Sequence, residues 1–387
     1  MTCVYCTIHV IMSKKPVVSG RSQDPPDMSK YQGRGYMGLA NLGNTCFMNA
    51  CLQVMNHVYE LNHIFLEKGL HLEKNKSSGD PPTDRDVQLV AEWVELQEIM
   101  WGGDSVQQPG VSAVSPNKFV HYVHHLAKVK DIDIFTGWAQ NDMSEFLLFF
   151  IDSMHNSIAR GVKMNIYGTK NTSKDHTAVL CYDMLKTAYQ KEYSEVMELF
   201  YGIYVSEIIA AAPEDTVKSQ KPEQYFIVDL PIPATPGEKT LIQCFDLFTE
   251  GEVLQHDNAW YNETTQAKEN VVKRIRFWNF PPILVVLLKR FNAMGNMKRT
   301  DLVTFPLEGL NLSKYVCGYG PYRYVYDLMG VCNHTGGVMG GHYTAFVKNA
   351  DQKWLHFNDT AVQVVDNPSE MVSPTAYCLF YRRQRVS

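Results

Sequence analysis

The stretch Gly38–Val58, GLANLGNTCFMNACLQVMNHV, sets a cysteine where the chain stops turning and a helical pattern begins. The first turn of a helix offers unpaired backbone N–H groups and the positive end of its dipole. A thiol there is biased towards thiolate, the nucleophilic form, so Cys46 reads as a candidate nucleophile. A thiolate nucleophile needs a base. Of thirteen histidines, His342 stands out, because the glycines of GGVMGG form a loop that opens into the strand-like HYTAFVKN. Downstream, ADQKWLHFNDT offers a group to orient the imidazole. With the turn centred on Ala350, residues 342 and 358 are equidistant from it, and Asn358 faces His342 across a hairpin. A one-residue slip turns Asn358 to the other face and makes Asp359 the candidate, or a second polar helper. Acyl transfer also needs oxyanion donors, and Asn41, five residues before Cys46, swings its amide towards the same point. Taken alone, Asn41 reads better as a turn residue.

The elements that must hold these groups follow from periodicity. After Cys46, apolar residues at Phe47, Ala50, Cys51, Val54, Met55, Val58 and Leu61 make a helical stripe, with Asn44 or Thr45 as N-cap. Further helices are expected at about 85–100, at about 116–128, and from Asp142 onward through SEFLLFFIDSMHN. Beyond about residue 195 the period shortens: YFIVDLPI (225–232) and PPILVVLLKRF (281–291) read as strands, the second fit for a central position. Helices first and antiparallel strands later make an α+β chain. Residues 1–35, with KKP, DPPDMSK and YQGRG, read as a flexible tail, and Met12 and Met28 within it leave the start residue open. At 387 residues with 45% hydrophobic content there is material for a large core, and a formal charge of −5 argues against nucleic acid as partner. No run of 18 apolar residues suggests membrane insertion, and the first dozen residues lack the basic start of a signal peptide. Nine cysteines show no disulfide pattern, and the lone Cys3–Cys6 pair reads as incidental. The expectation is a reduced, intracellular protein, cytoplasmic or nuclear.

The assembled motifs resemble the ubiquitin-specific protease family of deubiquitinases. GLANLGNTCFMNACLQ looks like its cysteine box and GGHYTAFVKNADQKWLHFNDTAV like its histidine box. Between them QNDMSEFLLFFID (140–152) resembles the family's Q-x-D-x-x-E-F segment, and PPILVVLLKRF its buried strand ending in K-R-F. These signatures stand in the family's order over about 38 to 383. The resemblance implies a papain-like right hand. A helical thumb spans about 36–190, β fingers about 195–280, and a β palm about 225–232 and 281–384, within one catalytic domain of 36–384. It implies Cys46 as nucleophile, His342 as base, Asn358 as third member and Asn41 as oxyanion donor, on ubiquitin and ubiquitinated proteins as substrates of a monomeric domain without cofactor. Asp142 and Glu145, one helical turn apart, are then the carboxylates for the arginines of the ubiquitin tail, with Tyr343 lining the channel. Without the resemblance the two acids read as a helix cap and first-turn charge.

The sequence departs from the family at the fingertips. Many relatives hold zinc there on two CxxC pairs, but IAAAPED follows ELFYGIYVSEI (198–208), and Asn262 and Thr265 stand where the second pair belongs. No structural zinc is expected, and the fingers should be shorter or looser and held by packing alone. Two other readings keep the fold: a silent ubiquitin-binding scaffold, disfavoured because Cys46 and His342 are both retained, and a hydrolase of another ubiquitin-like modifier, disfavoured by the acidic pair.

Overall fold

A computed structural model describes residues 8–13, 26–67, 83–102, 108–211, 216–292, 297–337 and 340–385. The apolar stripe after Cys46 forms helix α1 (Cys46–Asn56), buried along its whole length. Such a helix belongs inside a core. Around it lie α2 (Thr83–Trp101), α3 (Asn117–Val129) and α4 (Met143–Ile158), close to the expected bounds. Aromatic rings knit them: Phe47 of α1 meets Phe146 of α4 edge-on at 5.8 Å, and Phe146 stacks on Phe150 at 5.8 Å. Fully burying a side chain like Phe146 stabilises by ~1.5–3 kcal/mol. A further helix, α5 (Ser173–Tyr189), begins with a capping box in which Thr172 and Asp175 satisfy each other's backbone N–H groups.

The strands form two main sheets. In chain order they are β1 (Ile8–Ser13), β2 (Lys163–Gly168), β3 (Gly202–Ala210), β4 (Val217–Tyr225), β5 (Ile227–Leu230), β6 (Glu252–Leu254) and β7 (Val271–Asn279). Then come β8 (Ile283–Leu288), β9 (Val325–Gly337), β10 (Gly340–Lys348), β11 (Trp354–Asn358), β12 (Ala361–Val364) and β13 (Ala376–Arg383). The palm sheet runs β12-β11-β10-β9-β13-β8-β5. Its β8 is the apolar run ILVVLL, paired on both sides and buried as expected. One departure from an antiparallel sheet is the parallel pairing of β8 with β5. Buried Arg290, just past β8, bonds the carbonyls of Ala376, Arg299 and Asp301, and so fastens that strand end.

The tail expectation needs correction. Strand β1 pairs antiparallel with β2, and residues 26–36 are fastened to the thumb and palm. Tyr31 is buried edge-on against Trp101 at 5.0 Å, while the Gly33 N–H and the Tyr36 hydroxyl both donate to the Asp351 carboxylate, at 2.9 and 3.2 Å. Cys3 and Cys6 lie outside the described residues.

The fingers sheet runs β4-β3-β7-β6, with a small hairpin of Trp260–Asn262 and Ala267–Glu269 beyond it. Packing alone does not hold its tip. Asn262 Nδ2 (2.7 Å) and Thr265 Oγ1 (2.8 Å) both donate to Glu269 Oε1, and Lys218 of β4 donates to Oε2 at 2.5 Å. An amide and a hydroxyl are poor zinc ligands, and here both are spent on a carboxylate, so the donor set does not fit the metal. Lys218 first, then Thr265 and Asn262, hold the Glu269 carboxyl down at about 2. A depressed carboxyl adds stability above its ordinary pKa, and that stability is lost as pH falls through the folded value. Glu269→Gln should therefore lower the melting temperature near neutrality, and the gap to the parent should narrow as pH is lowered from about 6 towards 2. A gap that does not change with pH would rule out the ionic clip.

Candidate active site

Cys46 opens α1 and is 4% exposed. The turn before it is made by Gly43 at φ 109° and Asn44 at φ 57°, the left-handed region that glycine and asparagine tolerate. Thr45 occupies the cap position without capping. Its hydroxyl accepts from the Leu42 N–H at 2.9 Å and donates to Asn41 Oδ1 at 3.3 Å. The backbone N–H groups of Tyr343, Phe47 and Cys46 itself favour the ionised sulfur. These donors do not win. Burial pushes the Cys46 thiol up and the Asp359 carboxylate adds to it, so the lowered thiol expected from a helix start is corrected to a raised one.

His342 stands near the start of β10, and its Nε2–H donates to Asn358 Oδ1 at 2.7 Å. An amide oxygen only accepts, so the neutral ring keeps its lone pair on Nδ1. The hairpin register is two residues away from the one expected. Ala345 pairs with Phe357 and Lys348 with Trp354, which puts Asn358 opposite Thr344. A two-residue shift preserves the face, so His342 and Asn358 are diagonal neighbours, a span that an imidazole crosses. The longer turn comes from Asn349, whose side chain accepts the Lys353 N–H at 2.9 Å, with Gln352 at φ 62°. Among the described residues no hydrogen bond joins the imidazole to the thiol.

Asp359 points away from the imidazole. One carboxylate oxygen accepts from Asn41 Nδ2 at 3.0 Å, the other from Asn49 Nδ2 at 2.8 Å, and its carbonyl accepts the Leu39 N–H at 3.0 Å. Asn41 is thereby oriented. Its Oδ1 takes the N–H groups of Gly43 and Thr45, its Nδ2 gives one hydrogen to Asp359, and one hydrogen is left over among the described partners.

A cleft of about 360 Å³ runs from the thiol, lined by Cys46, Asp142, Glu145, Phe291, His334 and Tyr343. Asp142 is both cap and wall. Its Oδ1 accepts from the Ser144 N–H at 2.7 Å, and its Oδ2 accepts from the hydroxyls of Tyr377 (2.7 Å) and Tyr343 (3.4 Å). Glu145 is exposed, its carboxyl raised by partial burial and by Asp142. A larger hollow of about 490 Å³ around Asp246 and Leu247 holds none of these groups.

Several cleft residues escaped the sequence reading. Buried His334 packs tilted against the Tyr343 ring at 4.6 Å, and burial followed by Lys298 lowers its imidazole to about 4. A Cβ on Gly341 would fall 2.2 Å from His334 Nε2, so that position needs glycine. Gln140 accepts the Gly341 N–H at 2.9 Å and donates to its carbonyl at 3.1 Å. Gln140 and Phe291 were inside motifs already singled out, whereas Tyr377 lay on a strand with no local signal. Among the described residues no group of three or more His, Cys, Asp or Glu is placed to hold a metal.

Comparison with known proteins places this geometry. The family model "Ubiquitin carboxyl-terminal hydrolase" matches residues 37–381. Bovine ubiquitin carboxyl-terminal hydrolase 2 is 31% identical over 371 residues, covering 94% of this chain and 58% of that protein. Human ubiquitin carboxyl-terminal hydrolase 21 is 29% identical, covering 95% and 66%. The chain thus spans a little over half the length of the first of these relatives. Among solved structures, the SAGA Ubp8/Sgf11/Sus1/Sgf73 DUB module bound to ubiquitin aldehyde superposes with a TM-score of 0.66 at 23% identity, over 92% of this chain and 71% of that one. The fold is shared.

Because Asp359 raises the Cys46 thiol, removing its charge lowers it. Asp359→Asn should shift the pH profile of Cys46 alkylation by iodoacetamide to lower pH and speed the reaction near pH 8. An unmoved profile would mean that burial alone sets the thiol.

Proposed function

The chain belongs to the ubiquitin carboxyl-terminal hydrolase family, and from that membership we propose that it is a thiol-dependent deubiquitinase. It cuts the isopeptide or peptide bond after the C-terminal glycine of ubiquitin. The observation that supports this most is one cleft holding a thiol and an acidic approach, beside an imidazole fixed by an amide oxygen and an oriented amide donor.

His342 Nδ1 takes the thiol proton, and the Cys46 sulfur adds to the glycine carbonyl. The oxyanion receives the spare Asn41 hydrogen and the N–H groups at the start of α1. Collapse breaks the C–N bond, and the imidazolium gives its proton to the departing lysine amine. Water, deprotonated by His342, then cleaves the thioester and restores the thiol. The raised thiol means that the resting enzyme holds a neutral sulfur, activated only when the imidazole arrives. The tail, Leu-Arg-Leu-Arg-Gly-Gly, places its arginines at Asp142 and Glu145, and the narrow path past Tyr343 and Gly341 admits only glycine. The free thiols fit a reducing, intracellular setting.

Ubiquitin bearing a thiol-reactive C-terminal electrophile should form a one-to-one adduct with the parent and none with Cys46→Ala. No adduct from folded parent protein would sink the reading. Asn358→Ala should lower kcat by ~10²-fold or more with little change in KM, because the imidazole loses its orientation. Glu145→Ala should raise KM about 3–10-fold at steady kcat. Since the Glu145 carboxyl is raised and its anion binds the cation, parent KM should rise as pH falls through that raised value, and Glu145→Ala should flatten the rise.

A further inference from the structure

Lys298 spends its charge on backbone. Its ammonium donates to the carbonyls of His334 at 2.7 Å and Gly336 at 3.0 Å, and among the described residues it pairs with no carboxylate. The same ammonium lies 6.0 Å from the centre of the Phe291 ring, at the outer reach of a cation–π contact. Its own backbone is fixed. Lys298 bridges antiparallel to Phe291, and the N–H of Arg299 donates to the Arg290 carbonyl at 2.7 Å. Buried Arg290 fastens that end of β8, so the ammonium stands on a rigid base.

The two carbonyls lie where β9 has lost a neighbour. Strand β13 pairs with β9 as far as Asn333, opposite Ala376, and the His334 N–H still meets the Thr375 carbonyl at 2.9 Å. There the pairing stops. Backbone groups two residues apart leave a strand on the same edge, so His334 and Gly336 turn their carbonyls to the vacated side. The Lys298 ammonium fills it. Between those carbonyls stands Thr335, the register partner of His342, whose hydroxyl donates to the His342 carbonyl at 3.2 Å. On the other strand Gln140 bonds both backbone groups of Gly341, the residue before the base. The His342 end of the hairpin is thus held on both strands, by Gln140 on β10 and by Lys298 on β9.

We propose that Lys298 is a positioning residue for His342, acting through the β9 backbone rather than on substrate. It stands in for the missing strand at residues 334–336 and keeps the His342 backbone where its imidazole meets Asn358. This rests on the deubiquitinase reading and adds to it what supports the base. An unpaired hairpin end frays. An ammonium with three donors suits two carbonyls at once, and its bonds are stronger than those between neutral groups. Lys298 itself does not line the tail cleft, so its loss should slow chemistry more than it weakens binding.

The substrate for the test is ubiquitin joined to the lysine of a short peptide. Lys298→Met keeps the length of the arm and removes its donors. It should lower kcat about tenfold while KM moves less than about threefold, and Lys298→Arg should recover most of the loss by donating again. The decisive comparison is made in Asn358→Ala, where the imidazole has already lost its orientation. There Lys298→Met should cost less than about twofold, because both substitutions release the same group. A general weakening of the palm would cost the full factor in both backgrounds, and that additive result would overturn the proposal. So would an unchanged kcat, or a change confined to KM. Where the methionine variant does not fold, Lys298→Gln takes its place; failure of both to fold overturns the proposal too, since Lys298 would then support the whole palm. A folded parent that cleaves no ubiquitin conjugate is a different result, which sinks the deubiquitinase reading and this inference with it.

Discussion

The two oxygens of Asp359 hold the side-chain amides of Asn41 and Asn49, which stand about one helical turn on either side of Cys46. Its carbonyl holds the Leu39 N–H as well. The residue directly before it, Asn358, holds the imidazole. Two consecutive residues therefore tie helix α1, which Cys46 opens, to strand β10, which carries His342, across more than 300 positions of sequence. Hydrogen bonds to a charged acceptor contribute ~1.5–3 kcal/mol each, enough to fix a seam that is otherwise apolar packing. The arrangement has a cost. The carboxylate that orients the Asn41 amide also disfavours a thiolate at Cys46, so the site is precise in geometry and quiet in charge.

Much of this was legible because the chemistry sits in short, strongly patterned segments. Cys46 at a helix start, the glycines before His342 and the acids at the head of α4 all follow from local residue types, and all lie where the pattern put them. The hairpin carrying His342 and Asn358 came out on the right face with the wrong partner, since parity follows from alternation while register follows from the turn. Asn349 made that turn two residues longer than a symmetric guess. Asp359 was weighed only as an orienter of His342, in place of Asn358 or beside it, because nothing local says that a left-handed residue at φ 49° aims its carboxylate at a distant loop. Helix α5 was missed although Thr172 and Asp175 spell a capping box, for its amphipathic signal is weak. Thiol charge was misjudged for another reason: burial is a tertiary property, and it outweighed the helix start.

The fingers show a related trade. Where relatives place thiolates for a metal, this chain places an amide, a hydroxyl and an ammonium around Glu269. Such a clip has a directional geometry like a metal site but lacks its bond strength, and acid and salt weaken it. The tip of the fingers sheet thereby becomes sensitive to acid and salt. The N-terminal segment works in the opposite sense. By seating Tyr31 against Trp101 and taking the Asp351 carboxylate, it ties the far end of the His342 hairpin to the thumb.

Strand β13, the last in chain order among the described residues, lies in the middle of the palm sheet, between β9 and β8. Its Tyr377 hydroxyl reaches back to Asp142 at the head of α4, and its Ala376 carbonyl receives buried Arg290. Until β13 is seated, then, the sheet has a gap in its centre. The segments that carry Cys46, Asp142 and His342 all precede β13 in the chain, and closure over such sequence distances is slow. Without β13 the palm would be two half-sheets with unpaired edges, so this one strand closes the sheet and braces the wall of the cleft together.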